Sequence, residues 1–393
     1  MTDQTAPLAE GVSTRRRTLA AASMAHAVHD GCTDLIYVLL PLWQGEFALG
    51  YGALAALRGL YAGMTAGAQW PASRLAERWG VRTVLVLGTL LVAAGYGLAG
   101  RSTGLVGLVG ALLIAGLGAS TQHPLASAAV ARAFGGGKSA RGPLGTYNFS
   151  GDIGKAAIPA AVGLALSLLA WRPVVASLAT LVVLAALVIG AVLPAATGAP
   201  TTKTRAMTDA GRGGFGLLLT IGILDSGVRM GLLTFLPFLL SGKGAEQSLI
   251  GVGLALVFMG GAAGKLACGW FAERIGIIGT VVATEAATAV LILALLAAPL
   301  PAALVLAPVL GIALNGTSSV LYGSVAQLAP PGRTERAFAW FYSATIGSGA
   351  ITPVLFGLIG DHLGVSGATI ATALAALLTL PCALLLAPRF REA

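Results

Sequence analysis

Leu75-Ala76-Glu77-Arg78-Trp79-Gly80 returns about 195 residues later as Phe271-Ala272-Glu273-Arg274-Ile275-Gly276. Each copy closes one apolar segment and opens another. Other pairs keep nearly the same offset: Asp30 and Pro41 match Asp225 and Pro237, while Arg141, Tyr147 and Pro159 match Arg336, Tyr342 and Pro353. One coincidence of this kind means little. Several at a common offset, each at the same place in its segment, indicate a chain made of two similar halves.

The segments around these landmarks have membrane-spanning length. They fall near residues 18–43, 51–72, 83–100, 105–133, 144–170, 173–194, 214–240, 247–272, 277–298, 302–329, 337–360 and 365–388. A polar stretch rich in Thr, Gly and basic residues separates the sixth from the seventh. The expected organisation is therefore an N-terminal six-helix bundle over 1–194, a cytoplasmic linker over 195–213 and a C-terminal six-helix bundle over 214–393. Composition demands lipid around it. Hydrophobic residues make up 56% of the 393 and charged ones only 10%, against roughly 25% charged in soluble domains. The mean hydropathy is +0.86. The fold class expected is an all-α membrane protein of twelve transmembrane helices in two pseudo-symmetric bundles.

The net charge of +9 invites a nucleic-acid reading, but the placement of the charge opposes it. With twelve spans, one side of the membrane receives seventeen Lys and Arg: Arg15, Arg16, Arg17, Arg74, Arg78, Arg82, Arg132, Lys138, Arg141, Lys203, Arg205, Arg212, Arg274, Arg333, Arg336, Arg389 and Arg391. The other side receives only Arg101, Arg172 and Lys243. The positive-inside rule then puts both termini in the cytoplasm, in a multi-pass protein of the cell inner membrane. No basic cluster interleaved with aromatics is present to stack bases, so no nucleic-acid partner is expected. Arg15-Arg16-Arg17 ahead of an apolar stretch is superficially a twin-arginine signal. That stretch runs on through Pro41 and many spans follow it, so a retained first helix is the reading. The cysteines, Cys32, Cys268 and Cys382, are odd in number and unpaired in spacing, which points to core residues rather than a metal or disulfide framework.

Ionisable residues inside spans are expensive and read as functional by default. In the first span His26, Asp30, Thr33 and Tyr37 recur at spacings of three to four, with His29 and Asp34 alongside, making one polar stripe. Asp152 and Lys155 lie three apart in the fifth span, and Asp225 and Arg229 four apart in the seventh, so each pair can neutralise itself. Arg58 in the second span has no acid within a helical turn of it in sequence. Asp30 and Asp34 are like charges one turn apart, which disfavours ionising both together. An acid without a permanent cationic partner is what a proton-coupled carrier needs. Asp30 is the first candidate and Asp34 the second, with His26, His29 and His123 as relays or sensors. Tyr147, Asn315 and Tyr342 are further polar groups for a binding cavity. Arg58 or Arg229 can clamp a carboxylate, phosphate or phosphonate.

Plainer readings stand beside these. The pairs Asp225–Arg229 and Asp152–Lys155 serve equally as structural ties between helices. His123 before Pro124 serves as packing at a helix bend. Lys265 reads as a snorkelling residue at the cytoplasmic end of the eighth span. Glu285 in the ninth span has no account from sequence.

The segment Ser73-Arg74-Leu75-Ala76-Glu77-Arg78-Trp79-Gly80-Val81-Arg82 resembles the loop 2–3 signature of the major facilitator superfamily, Gly-x-Leu-Ala-Asp-Arg-x-Gly-Arg-Lys. It departs at Ser73, Glu77 and Val81. The resemblance covers essentially the whole chain and implies the major facilitator fold. It also implies that Glu77 and Arg78, with Glu273 and Arg274 in the second copy, form a conformational latch. The rival reading is a solvated loop carrying topology signals. Within the superfamily the chain resembles the fosmidomycin-resistance-like efflux branch. His26-Ala27-Val28-His29-Asp30 and Tyr37-Val38-Leu39-Leu40-Pro41-Leu42-Trp43-Gln44-Gly45-Glu46-Phe47 carry that likeness in the first span. Gly116-Leu117-Gly118-Ala119-Ser120-Thr121-Gln122-His123-Pro124 carries it in the fourth. The chain departs at His29, where the branch has Asn, and at Asp152 and Lys155, where it is small and neutral.

The resulting expectation is a proton-coupled secondary transporter working by alternating access. It exports a small anionic or zwitterionic compound, drug-like and handled by antiport; export rests on the branch resemblance alone. Proton-coupled uptake of an organic anion uses the same carboxylate chemistry and stays open. A non-transporting membrane sensor or membrane enzyme is the other alternative. Against it, no nucleophile elbow, Walker loop or His-Glu-x-x-His is present. No catalytic residue, metal or cofactor is expected. The expected partners are the small-molecule substrate, protons and the lipid bilayer, and the expected state is a monomer.

Overall fold

The computed structural model describes residues 5–135, 137–195, 214–330 and 334–391, which hold helices and turns and no strand. In order the helices are α1 (Thr5–Asp34), α2 (Ile36–Phe47), α3 (Tyr51–Trp79), α4 (Val81–Ala99), α5 (Leu105–Ala119), α6 (Gln122–Ala133), α7 (Arg141–Leu166), α8 (Trp171–Val192), α9 (Phe215–Gly242), α10 (Gln247–Ala297), α11 (Leu300–Leu328), α12 (Thr334–Leu377), α13 (Thr379–Leu386) and α14 (Pro388–Arg391). Apart from Ala195, the expected linker lies outside the described residues. So do the side chains of Lys138, Arg141, Lys203, Arg205, Arg212, Arg333 and Arg391.

Eight helical stretches are long and apolar enough to cross a membrane, two of them 51 residues long. A straight helix of that length would be about 77 Å long, more than twice the roughly 30 Å hydrocarbon core. Both long stretches bend where a glycine leaves helical geometry, Gly276 at φ 76° in α10 and Gly364 at φ 73°. Each therefore supplies two spans. The first span is α1 with α2, and the second is α3; their charged and polar residues keep them below the hydropathy of the rest. Twelve spans result. Gly80, between α3 and α4, has φ 82°, and Gly276 holds the same place in the repeated motif. With ψ of 149° and 165°, both lie in a region that is essentially glycine-only and costs other residues of order 1–3 kcal/mol, so the final glycine of each Glu-Arg-x-Gly copy is a steric requirement of the bend.

Two spans are interrupted. In the fourth, α5 ends at Ala119 and α6 begins at Gln122. Pro124 has no N–H for the Ser120 carbonyl four residues back. The hydroxyls of Ser120 and Thr121 turn back onto the carbonyls of Leu117, at 2.7 Å, and Gly118, at 3.0 Å. The single span expected over 105–133 is thus two helices. In the first span the chain breaks at Leu35, between Asp34 and Ile36.

The described residues of Met1–Ile36 and Leu60–Thr202 form one compact unit, and those of Tyr37–Gly59 and Lys203–Ala393 the other. This differs from the division at the linker in one place, the hairpin 37–59. The reason is local. The backbone N–H groups of Tyr51 and Gly52, at the start of α3, donate to the Asp361 carboxylate, that of Gly52 at 3.2 Å. An anion at a helix N-terminus is favourable. The Tyr51 ring meets Phe235 and Phe238 edge-on, with centroids 6.2 and 5.2 Å away.

Within the first unit α1 packs on α7 closely enough that a Cβ placed on Gly154 would run into the Ala27 carbonyl. Ala21, Ala22, Ala25, Leu85, Tyr147 and Ile189 fill the core beside them. Within the second unit α9 packs against α12, the equivalent pair in the repeat, over a core including Leu218, Ile221, Val325 and Phe341. The exposed face of both units carries large apolar side chains such as Leu168, Leu266, Leu363 and Leu385, the surface lipid covers.

Candidate functional site

The close approach of α1 and α7 brings His26, His29, Asp30 and Lys155 together, and the interruption before α6 adds His123. Asp30 stands at the centre, its side chain 7% exposed. Lys155 Nζ is 3.3 Å from Oδ2, His26 Nε2 is 3.2 Å from the same oxygen, and His123 and His29 Nε2 lie 3.5 and 3.8 Å from Oδ1. This corrects two expectations. Asp30 has a cationic partner, and the ion pair of Lys155 reaches across to α1 rather than being confined to Asp152 on its own helix. The side chain of residue 155 is long enough to span the seam that the glycine at 154 narrows.

The orientation of His26 decides what the cluster holds. Its Nδ1 lies 2.8 Å from the carbonyl oxygen of Tyr147. A carbonyl only accepts, so Nδ1 carries a hydrogen. In a neutral imidazole Nε2 then presents a lone pair to the carboxylate oxygen 3.2 Å away, and two acceptors do not bond. A proton on either partner would turn the contact into a hydrogen bond. The Tyr147 ring, stacked on His26 at 4.2 Å, fixes the imidazole further, and its hydroxyl donates to Gln122 Oε1 at 3.4 Å. The rings of His26 and His29 stand edge-on to His123, at 5.0 and 4.7 Å. His123 and Lys155 are the exposed rim of the cluster, with side chains 48% and 31% accessible.

One ligand atom each from His26, Asp30 and His123 lie within 4.8 Å of one another, enough for a metal. The Lys155 ammonium, 3.3 Å from the same carboxylate, already supplies the positive charge a metal would bring and repels a second cation. The donor set fits a proton better.

The remaining first-span acid, Asp34, is buried, and the fields of both Asp34 and Asp152 act on Lys155. Tyr37 and Arg58 belong to the other unit. The Arg58 guanidinium lies over the Tyr37 ring, 5.1 Å from its centroid, and the Tyr37 hydroxyl donates to Met230 Sδ at 3.4 Å.

The second half has its own cluster. Arg229 Nη2 is 3.6 Å from Asp225 Oδ2, and Nη1 donates to Ser318 Oγ at 3.0 Å. Asp225 also lies beside Glu285. Glu285, without an account in sequence, is 2% exposed, deep among α9, α11 and α13. The signal for it lay in Thr280, Thr284 and Thr288, a buried hydroxyl row beside it at helical spacing. Ser318 was likewise not foreseen. Asn315 Nδ2 only returns to the Gly311 carbonyl at 3.3 Å, beside Gly261. Tyr342 is more than half exposed, with its ring 4.9 Å from that of Tyr322. Glu77, Arg78, Glu273 and Arg274 are all exposed at the ends of their spans; Arg274 lies over Trp270, 4.2 Å from the centroid.

A duplicated, twelve-span helical bundle with ionisable clusters inside its spans defines a multi-pass membrane transporter. The chain belongs to the Major Facilitator Superfamily, whose model matches it twice, over residues 22–217 and 218–392. That family is one of transporters rather than enzymes. No curated protein matches the sequence. Among solved structures it is similar to a bacterial homolog of the human lysosomal transporter Spinster in an inward-facing, unoccupied conformation, at TM-score 0.78 and 15% identity, covering 96% of this chain and 98% of that one. It is similar to the peptide transporter POT in complex with sulfate, at TM-score 0.79 and 14% identity over 95% and 94% of the chains. The human organic anion transporter MFSD10 (TETRAN) gives TM-score 0.63 at 17% identity over 94% and 99%. At these identities the likeness carries the fold alone.

Proposed function

We propose that this transporter couples proton movement to export of a small anionic or zwitterionic compound across the inner membrane, with both termini cytoplasmic. The supporting observation is the contact of His26 Nε2 with Asp30 Oδ2 at 3.2 Å, made while Nδ1 is engaged with the Tyr147 carbonyl. That arrangement takes up one proton when the contact forms and releases it when the contact breaks. Alternating access between residues 1–194 and 214–393 is the motion that opens this contact to water on one side of the membrane and then the other, with Glu77, Arg78, Glu273 and Arg274 as latches on the cytoplasmic side.

Lys155 and His123 form the accessible rim of the cluster, so an anionic group competes with Asp30 for Lys155 and thereby links substrate to proton. Arg58 and Arg229 are held by neighbours and set the field around the path. A monomer suffices, because each cluster is complete within one chain. Export over uptake rests on the branch resemblance.

The test is a screen of cells over-expressing or lacking the protein against phosphonate and carboxylate antibiotics and scarce organic acids. Resistance that rises with expression supports export, and improved growth on a scarce acid redirects the reading to uptake. Identical behaviour of both strains across the panel counts against anion transport.

A further inference from the structure

Two carboxyl groups lie buried together inside the second half, and the proton cluster around Asp30 makes no use of them. Asp225 on α9 is 4% exposed and Glu285 on the second limb of α10 is 2% exposed. The two carboxyl groups lie close enough to act on each other, with Thr317 and Thr379 beside Glu285. Two carboxylates are both acceptors and cannot bond; a carboxyl and a carboxylate sharing one proton can. Charge counting gives the same answer. The cation against the pair among the described residues is Arg229, which lies 3.6 Å from Asp225 and divides its donors between that carboxylate and Ser318. Among the described residues, the Tyr322 phenol on α11 also interacts with Asp225, and α13 brings the Thr379 hydroxyl beside Glu285. Two full negative charges would face one positive charge in an enclosed place where the other polar groups are neutral hydroxyls. Moreover, Glu285 Oε2 is enclosed with no hydrogen-bond partner among the described residues, a costly state for a charged oxygen and a milder one for a neutral acid.

We propose that Asp225 and Glu285 form a second proton-binding site, holding one proton between them inside the C-terminal half, so that the transporter carries two separately titrating sites. Loading adds one proton to the carboxylate pair and leaves a single negative charge opposite Arg229. Unloading returns that proton to water and leaves two carboxylates, which draws the Arg229 guanidinium from Ser318 fully onto Asp225. Arg229 thus reports the proton to α11, through the Ser318 hydrogen bond it keeps or gives up. The pair needs no substrate to hold its proton, so the site stands independently of the transport reading.

The experiment is infrared spectroscopy of the purified full-length protein in lipid, titrated from acid to alkaline pH without substrate. The wild type is expected to show a protonated-carboxyl band at neutral pH that disappears in Glu285→Gln and in Asp225→Asn but persists in Asp30→Asn. Proton release on an alkaline jump should fall by one per chain in Glu285→Gln. Should Asp225→Asn fail to fold, Glu285→Gln decides alone, because a neutral amide mimics a neutral acid. If its band and proton count equal those of the wild type, or if it unfolds as a charge-pair deletion does, the second site does not exist. Loss of coupled transport in Asp30→Asn with this band intact separates the two proposals.

Discussion

Lys155 Nζ stands 3.3 Å from Asp30 Oδ2, across the seam between α7 and α1. The two residues are 125 positions apart, and the acid three residues before Lys155 had offered a local partner. Neither side chain is open to bulk water on all sides, so each depends on the other for part of its solvation. Removing one leaves the other charge stranded, which in a buried pair costs about 3–5 kcal/mol. Here the cost should be lower, because the Lys155 side chain is 31% exposed.

Lys155→Ala is therefore expected to lower the melting temperature of the detergent-purified protein through a loss of up to about 3 kcal/mol. Adding Asp30→Asn should recover more than half of that loss. Additive destabilisation in the double variant would show that the two side chains do not act as a pair.

Gly154 holds the same seam closed. A side chain there collides with the Ala27 backbone, and a backbone atom cannot rotate away. Gly154→Val should separate α1 from α7 and cost at least the roughly 1–3 kcal/mol typical of overpacking. Gly110→Ala, with nothing within 4 Å of the added carbon, is the control and should be neutral. Equal melting temperatures for both variants would contradict the packing described.

The bend at Gly276 tests the repeated motif. Its φ of 76° is unfavourable for any L-residue, yet a Cβ there meets nothing within 4 Å. Gly276→Ala should thus cost roughly 1–3 kcal/mol from backbone strain alone, with a matching loss at Gly80→Ala. A stabilised Gly276→Ala protein would mean that the bend is absent.

Asp361 anchors the start of α3 by accepting from Tyr51 and Gly52. Asp361→Ala should expose those amides and raise hydrogen exchange at residues 51–54, whereas Asp361→Asn, which keeps an acceptor, should do so less. Unchanged exchange in Asp361→Ala would remove the cap.

The spans and the duplication were legible because each apolar segment and its motif recur at one offset, and hydropathy is a local property. The two long helices still divide between the spans expected there, at the repeated Gly276 and at Gly364. What stayed hidden was which charges meet. Asp152 and Lys155 sit one turn apart on a helix, but nothing in spacing reveals that Lys155 also points across a glycine seam toward Asp30. The break at Ser120 was signalled by Pro124, yet its consequence, delivering His123 to Asp30, depends on where α6 leads. The Thr280, Thr284 and Thr288 row marked a polar stripe around Glu285, but its neighbours Asp225, Thr317 and Thr379 come from three other helices and no spacing names them.

The central claim is that the proton taken up at Asp30 drives the substrate. It is tested most directly in proteoliposomes with an imposed pH gradient, using whichever phosphonate or carboxylate the cell screen identifies. The wild type should concentrate that compound against its own gradient, whereas Asp30→Asn should exchange it across the membrane without concentrating it. If Asp30→Asn concentrates the compound as well as the wild type does, the proton travels by another route and the account of the His26–Asp30 contact is wrong.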